Sequence, residues 1–205
     1  KNKEIIVPFR ADMPDIVMQA LIKKSGLDIK NDFKLQYVAT PVDAMQMLIL
    51  RRADHALLAE PAISIALRKT GSFPVKLIAP DLYRSINLQE EWGRLYKIEA
   101  KIPQAGLAII GDTNGKEELI SKVLAEYDKS LAWYKNNKEE ASKLVVKTLP
   151  MLEEKGLADS IEYVRFENIN AINSKKDLEF FFDILIQNDS KLIGGKLPNE
   201  DFYYK

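Results

Sequence analysis

The chain contains no cysteine and only one histidine among its 205 residues. The lack of cysteine excludes disulfide bonds, thiolate nucleophiles and cysteine metal sites, and is found in exported and cytosolic proteins alike. With a single histidine, carboxylates are the main remaining metal ligands, and no calcium-type loop of Asp, Asn and Gly is present. We therefore expect neither a metal site nor a cofactor.

An excess of charge of one sign and long apolar runs are also lacking. The 30 basic and 30 acidic residues give a formal net charge of zero, so no long-range field draws the chain to nucleic acid or an anionic membrane. No apolar run approaches the roughly 20 residues of a membrane-spanning helix. The hydrophobic share of 46% is typical of a globular protein, and the length suits one domain or two small lobes.

The first half of the chain alternates between short apolar runs and segments of helical periodicity. This order predicts an α/β fold in which helices flank a mostly parallel sheet with right-handed crossovers. The predicted strands cover residues 3–9, 33–39, 55–60 and 73–80, and the helices between them cover 10–26, 40–52 and 61–71.

The second half is mainly helical. Residues 81–103 have no regular pattern, and 104–112 read as a fifth strand. Apolar residues at helical spacing predict helices over 116–137, 138–149 and 175–188.

Three predicted helices carry a proline at or near their first position, namely Pro14, Pro41 and Pro61. Because parallel strands end at one edge of a sheet, the helix starts that follow them should converge there. Helix starts expose unpaired N–H groups and partial positive charge, which suits a small anion or the anionic group of a larger ligand. Proline also marks ordinary helix starts, so this pattern alone leaves both interpretations open.

Several side chains should stand at that edge. Arg10 follows the first strand and is either a bidentate fork for an oxyanion or a surface arginine. Asp12 and Thr40 are suited to capping their helices, and the Thr40 hydroxyl also faces the predicted cleft. Glu60 faces either a ligand donor or the amides of its own helix. His55 begins a strand at the opposite end, where a structural or surface role is expected.

Two stretches resemble a known family. The segment ATPVDAMQMLILRRADHALLAEPAISIAL (39–67) is similar to the middle of the solute-binding proteins of nitrate/sulfonate/taurine-type ABC importers, a group that includes binders of thiamine-precursor pyrimidines. The ending KLIGGKLPNEDFYYK (191–205) is similar to the C-terminal tail of that family.

The resemblance implies a type II periplasmic-binding-protein fold that closes on its ligand by a hinge. Residues 1–103 would form the second lobe, and 104–205 a hinge strand and a helical region that packs on or returns towards the first lobe. That first lobe normally precedes the segment with which this chain begins, so it would be missing or truncated. Glu60 and the loops around Arg10, Asp12, Thr40 and Pro41 would line the cleft.

The implied function is capture of a small polar or anionic solute and its delivery to a membrane permease. Such a protein is not an enzyme, binds no nucleic acid and acts as a monomer in the periplasm or outside the cytoplasm. A removed N-terminal segment is a candidate membrane anchor. Two alternatives share the fold: the effector domain of a LysR-type regulator, and a pyrimidine synthase, which would need a reactive histidine and a cysteine-rich iron motif.

Overall fold

The structure, a computed structural model, describes residues 3–204. Two strands, β1 (Lys3–Pro8) and β2 (Phe33–Val38), pair in parallel, with Pro8 opposite Val38. A single parallel bridge joins Ile6 to Ala56 on the other side of β1. β1 is therefore the central one of three parallel segments, which is why its Ile6 is fully buried.

Helices follow these segments as the sequence predicts, and the connection into β2 contains a further short helix. These four helices are α1 (Met13–Lys24), α2 (Ile29–Asp32), α3 (Pro41–Ile49) and α4 (Ala62–Gly71). α3 lies against both strands and against α4, so it covers the sheet.

The rest of the chain is helical apart from its connections. The three helices predicted here are confirmed at Glu117–Asn136, Lys138–Thr148 and Lys175–Asp189. Across residues 3–204, none of the helices has the length and apolar character needed to span a membrane. The remaining helices are α5 (Leu88–Tyr96), α6 (Glu117–Asn136), α7 (Lys138–Thr148), α8 (Glu154–Ser160) and α9 (Lys175–Asp189).

Two apolar cores hold these elements together. The first joins α1, α5 and α9 around Trp92, which packs with Leu21 and Phe181. The second joins α3 and α4 through Met45 and Ile65. α8 then packs between α4 and α7.

The strand predictions were only partly right. The segment 55–60 keeps one bridge, in which the Ile6 amide donates to the His55 carbonyl at 3.0 Å. The segment 73–80 is not a strand: it forms a 3₁₀ turn at Val75–Leu77, because Pro74 lacks an N–H for a ladder. The segment 104–112 is not a strand either, since no segment of the described chain pairs with it.

The expectation of irregular structure over 81–103 was wrong for α5. Asn87 caps this helix by accepting from the amides of Gln89 and Glu90. Gly93 allows the chain to return closely, since a Cβ there would lie 2.9 Å from the Ala100 Cα.

Candidate functional site

The parallel register brings three loops to one edge of the sheet. Arg10 and Thr40 each lie two residues beyond the paired positions Pro8 and Val38. The segment that pairs with β1 through the bridge between Ile6 and Ala56 also runs parallel to β1, and it leads to Glu60. α1, α3 and α4 therefore all begin at this edge, which we call the rim, as expected for helices that follow parallel strands.

Two of the predicted rim residues cap their helices. The Asp12 carboxylate accepts from the Met13 amide at 2.8 Å. Thr40 forms a reciprocal capping box with Asp43: its hydroxyl accepts from the Asp43 amide at 3.1 Å, and the Asp43 carboxylate accepts from the Thr40 amide at 2.9 Å. Pro41 takes the first helical position. The capping role preferred for Asp12 is confirmed.

The Glu60 carboxylate accepts hydrogen bonds from a backbone amide and from an arginine side chain. Its side chain is only 8% exposed, and one carboxylate oxygen accepts from the Ser64 amide in the first turn of α4 at 3.1 Å. The other accepts from the Arg84 guanidinium at 2.6 Å. Arg84 also donates to the Ser64 hydroxyl at 2.8 Å and lies 3.6 Å above the Tyr163 ring centre. Glu60 thus anchors a cationic side chain at the rim in addition to accepting from an amide in the first turn of α4.

Arg10 is exposed and lies over the ring of Tyr37, 5.2 Å from its centre. Beneath it, the Tyr37 hydroxyl donates to the buried carboxylate of Asp15 at 3.3 Å. Burial, followed by the charge and hydrogen bond of Asp15, raises the pKa of the Tyr37 hydroxyl, while the charge of Arg10 opposes this shift. The phenol therefore stays protonated and continues to donate well above neutral pH.

A cavity of about 280 Å³ adjoins Glu60 through Ser64 and Arg84 and lies among α4, α7 and α8. Its charges are balanced, because each cation has an acidic partner. Arg68 donates two hydrogen bonds to Asp159 at 2.7 and 2.8 Å, and Lys138 pairs with Glu162 at 2.5 Å. The cavity is lined by Ser64, Leu67, Arg68, Arg84, Lys138, Glu139, Ala158, Asp159, Glu162 and Tyr163.

The pair of Arg68 and Asp159 ties α4 to α8 and predicts a pH effect. The two hydrogen bonds from Arg68 hold the pKa of Asp159 below its ordinary value of 3.8. This stabilisation is therefore present above about pH 4 and lost as the pH falls through the lower folded-state value. Asp159→Asn should lower the free energy of unfolding by about 0.5 kcal/mol at pH 7, since both side chains are partly exposed. The difference should vanish near pH 2 in urea titrations.

The matched control is Glu126→Gln, which breaks an exposed pair with Lys129 inside α6. We expect that variant to match the unsubstituted protein at both pH values. An Asp159→Asn penalty that persisted unchanged at low pH would contradict the electrostatic origin.

The sequence interpretation did not single out Arg84, Tyr163, Asp15 or Tyr37. Arg84 lies in a connection and Tyr163 ends a one-turn 3₁₀ helix (Ile161–Tyr163), so no strand or helix periodicity marked either residue. Asp15 stands in the first turn of α1, where an acidic residue is ordinarily explained by the helix dipole. His55 is exposed, and its carbonyl serves the bridge to β1.

Comparison with known proteins adds one result at the level of the fold. No protein-family model matches this sequence, and no curated protein is detectably similar to it. The structure superposes with a TM-score of 0.71 on the crystal structure of an ABC transporter from Parabacteroides distasonis, at 21% identity. The match covers 100% of this chain and 67% of that chain. The two proteins share a fold.

The shared fold agrees with the α/β architecture that the sequence predicts. Because this chain spans about two thirds of the length of the other chain, its match concerns only that part of the transporter protein.

Proposed function

We propose that this protein is the solute-binding component of an ABC importer and captures a small polar or anionic solute. The observation that carries the proposal is the fold shared over its whole length with an ABC transporter. The resemblance of residues 39–67 and 191–205 to solute-binding proteins of the nitrate/sulfonate/taurine type supports the finer assignment, including the type II fold. The partner would be a membrane permease, met by a monomer in the periplasm or outside the cytoplasm.

The geometry of the rim supports anion binding rather than chemistry. It places the exposed guanidinium of Arg10 and the starts of α1, α3 and α4 at one edge of the sheet. Arg10 would donate to an oxyanion there, and the helix starts would add partial positive charge. The Thr40 hydroxyl donates to the Asp43 carboxylate at 2.7 Å and so serves the cap of α3. Glu60 would keep Arg84 in place beside the site or accept from a donor on the solute. Binding and release need no cofactor and no bond-breaking step.

The proposal predicts ligand-dependent stabilisation. Nitrate, taurine, ethanesulfonate and a thiamine-precursor pyrimidine are the probes, each tested by thermal shift on the full chain. A true ligand at 100 times its dissociation constant should add about 2.7 kcal/mol to the free energy of unfolding. Sodium chloride at the same ionic strength is the control for general salt effects.

A variant locates the binding at the rim. Glu60→Gln keeps an oxygen for the Ser64 amide but loses the ion pair with Arg84, so affinity should fall about tenfold. Glu153→Gln is the matched control, because Glu153 caps α8 by accepting from backbone amides. Failure of every probe to raise the melting temperature, together with turnover of any of them, would replace the binding role by an enzymatic one.

A further inference from the structure

Arg10 lies in the loop between β1 and α1, and the backbone of this loop is strained on both sides of it. Phe9 and Ala11, the residues on either side of Arg10, have φ angles of 54° and 62°. Both are therefore in the left-handed region, which is costly for residues that carry a Cβ. Such strain persists only where surrounding contacts hold it.

The strain is not required by the change from strand to helix. The connection from β2 to α3 makes the same change through Thr40, whose φ is −138° and whose backbone is extended. Among residues 3–204, the other non-glycine residues with positive φ are Arg51 and Lys97, which lie at helix C-terminal ends. At the rim, strain is therefore confined to the loop that carries Arg10.

The buried side chain of Asp15 hydrogen-bonds to the backbone of this loop. It is 1% exposed, and its carboxylate accepts from the Ala11 amide at 2.9 Å and from the Gln19 side chain at 2.8 Å. A buried carboxylate is tolerated only when it is well hydrogen-bonded. The bond to Ala11 therefore serves both residues, because it satisfies the acid and fixes the left-handed backbone.

The Asp15 carboxylate is also linked to Arg10 through the side chain of Tyr37. Its oxygen accepts from the Tyr37 hydroxyl at 3.3 Å, and the Tyr37 ring lies under the Arg10 guanidinium at 5.2 Å. The Gln19 side chain also approaches that hydroxyl, at 3.5 Å. Backbone and ring thus define the position of Arg10 from two sides.

We propose that Asp15 is a positioning residue, which holds the loop of residues 9–12 and the Tyr37 ring so that Arg10 is preorganised for the anionic group of the solute. The inference rests on the proposed function, since it takes Arg10 to meet that group. Preorganisation adds affinity because the loop is ordered before the solute arrives.

The direction of the change in anion affinity distinguishes positioning by Asp15 from a direct effect of its charge. Asp15 is negative, so replacing it by a neutral residue should strengthen the binding of an anion if charge alone mattered. Positioning predicts the opposite. Asp15→Asn leaves one oxygen for the three donors that share the Asp15 carboxylate. It should therefore weaken the binding of nitrate or taurine about tenfold by calorimetry, and exchange of the Ala11 amide, followed by NMR, should accelerate at least about tenfold.

A second variant tests the mechanism. Glycine adopts a left-handed conformation without strain, so Ala11→Gly combined with Asp15→Asn should recover part of the affinity lost in Asp15→Asn. Asp28→Asn is the matched control, because Asp28 caps α2 ahead of β2, at the opposite edge of the sheet. It should leave both readouts unchanged. If Asp15→Asn does not fold, Tyr37→Phe, which removes one bond to Asp15, should still weaken binding about threefold.

The outcomes are distinct for the two claims. Unchanged exchange at Ala11, or unchanged or tighter probe binding in Asp15→Asn, overturns the positioning role. A double variant no better than Asp15→Asn also overturns it. If the unsubstituted protein binds no probe, the proposed function fails for those solutes and the preorganisation of Arg10 for them fails with it. Exchange of the Ala11 amide then reports separately whether Asp15 holds the loop.

Discussion

Replacing Trp92 with alanine is expected to lower the free energy of unfolding by about 3–5 kcal/mol. Trp92 is 1% exposed and joins α5 to both α1 and α9. Its ring lies 4.7 Å from that of Tyr96 and 6.0 Å from that of Phe181. Truncation removes this apolar contact area and leaves a cavity that three helices cannot readily close. Urea denaturation followed by circular dichroism measures the loss.

The chain offers a matched control in its other tryptophan. Trp133 lies on α6 and is 41% exposed, so Trp133→Ala should cost less than about 1 kcal/mol. The two variants remove the same side chain from a helix and differ chiefly in burial. Equal losses would show that the core among α1, α5 and α9 does not have the importance assigned to it.

The second large effect is expected at Gly156, where α8 approaches α4. A Cβ at this position would lie 2.7 Å from the Ile65 Cγ1 and 2.8 Å from the Ile65 Cα. Alanine is the better helix former by about 1 kcal/mol, but the clash with α4 backbone should outweigh this gain. We expect Gly156→Ala to lower the free energy of unfolding by about 1–3 kcal/mol, measured by urea denaturation.

Gly71→Ala provides the contrast, because it adds the same methyl group in open space. Gly71 is the last residue of α4, and no atom lies within 4 Å of a Cβ built there. This variant should be neutral or slightly more stable. A stabilising effect of Gly156→Ala would mean that α8 can shift away from Ile65 at little cost.

The parts of the fold that could be predicted from sequence are those with local signals. The start of α3 could be predicted from Thr40 and the proline after it, since Thr40 is the N-cap and Pro41 takes the first helical position. Strands 73–80 and 104–112 looked equally good locally, but a strand depends on a neighbour that propensity does not supply. α5 was missed although Asn87 caps it, since the surrounding segment lacked a clear period.

The candidate site, like the fold, could be predicted from the sequence only in part. Arg10, Thr40 and Glu60 could be placed at one edge because parallel topology alone brings them there. Asp15 could not be recognised, because its role depends on burial and on a hydrogen bond from Tyr37, which lies 22 residues away in the chain. Arg84 likewise acquires meaning only through its contact with Glu60, 24 residues away in the chain.

The tract at residues 104–110, which has no regular secondary structure, is a candidate site of self-association. Its Ile110 is 97% exposed, and nothing within residues 3–204 hydrogen-bonds to the backbone of the tract. An uncharged apolar run with open N–H and C=O groups is a template for like runs on other molecules. Lys101 and Asp112 are the nearest charges on either side in the sequence, and Lys101 is paired with Glu99 and Asp177. Asp112 is therefore the flanking charge that opposes pairing of this tract with a like segment.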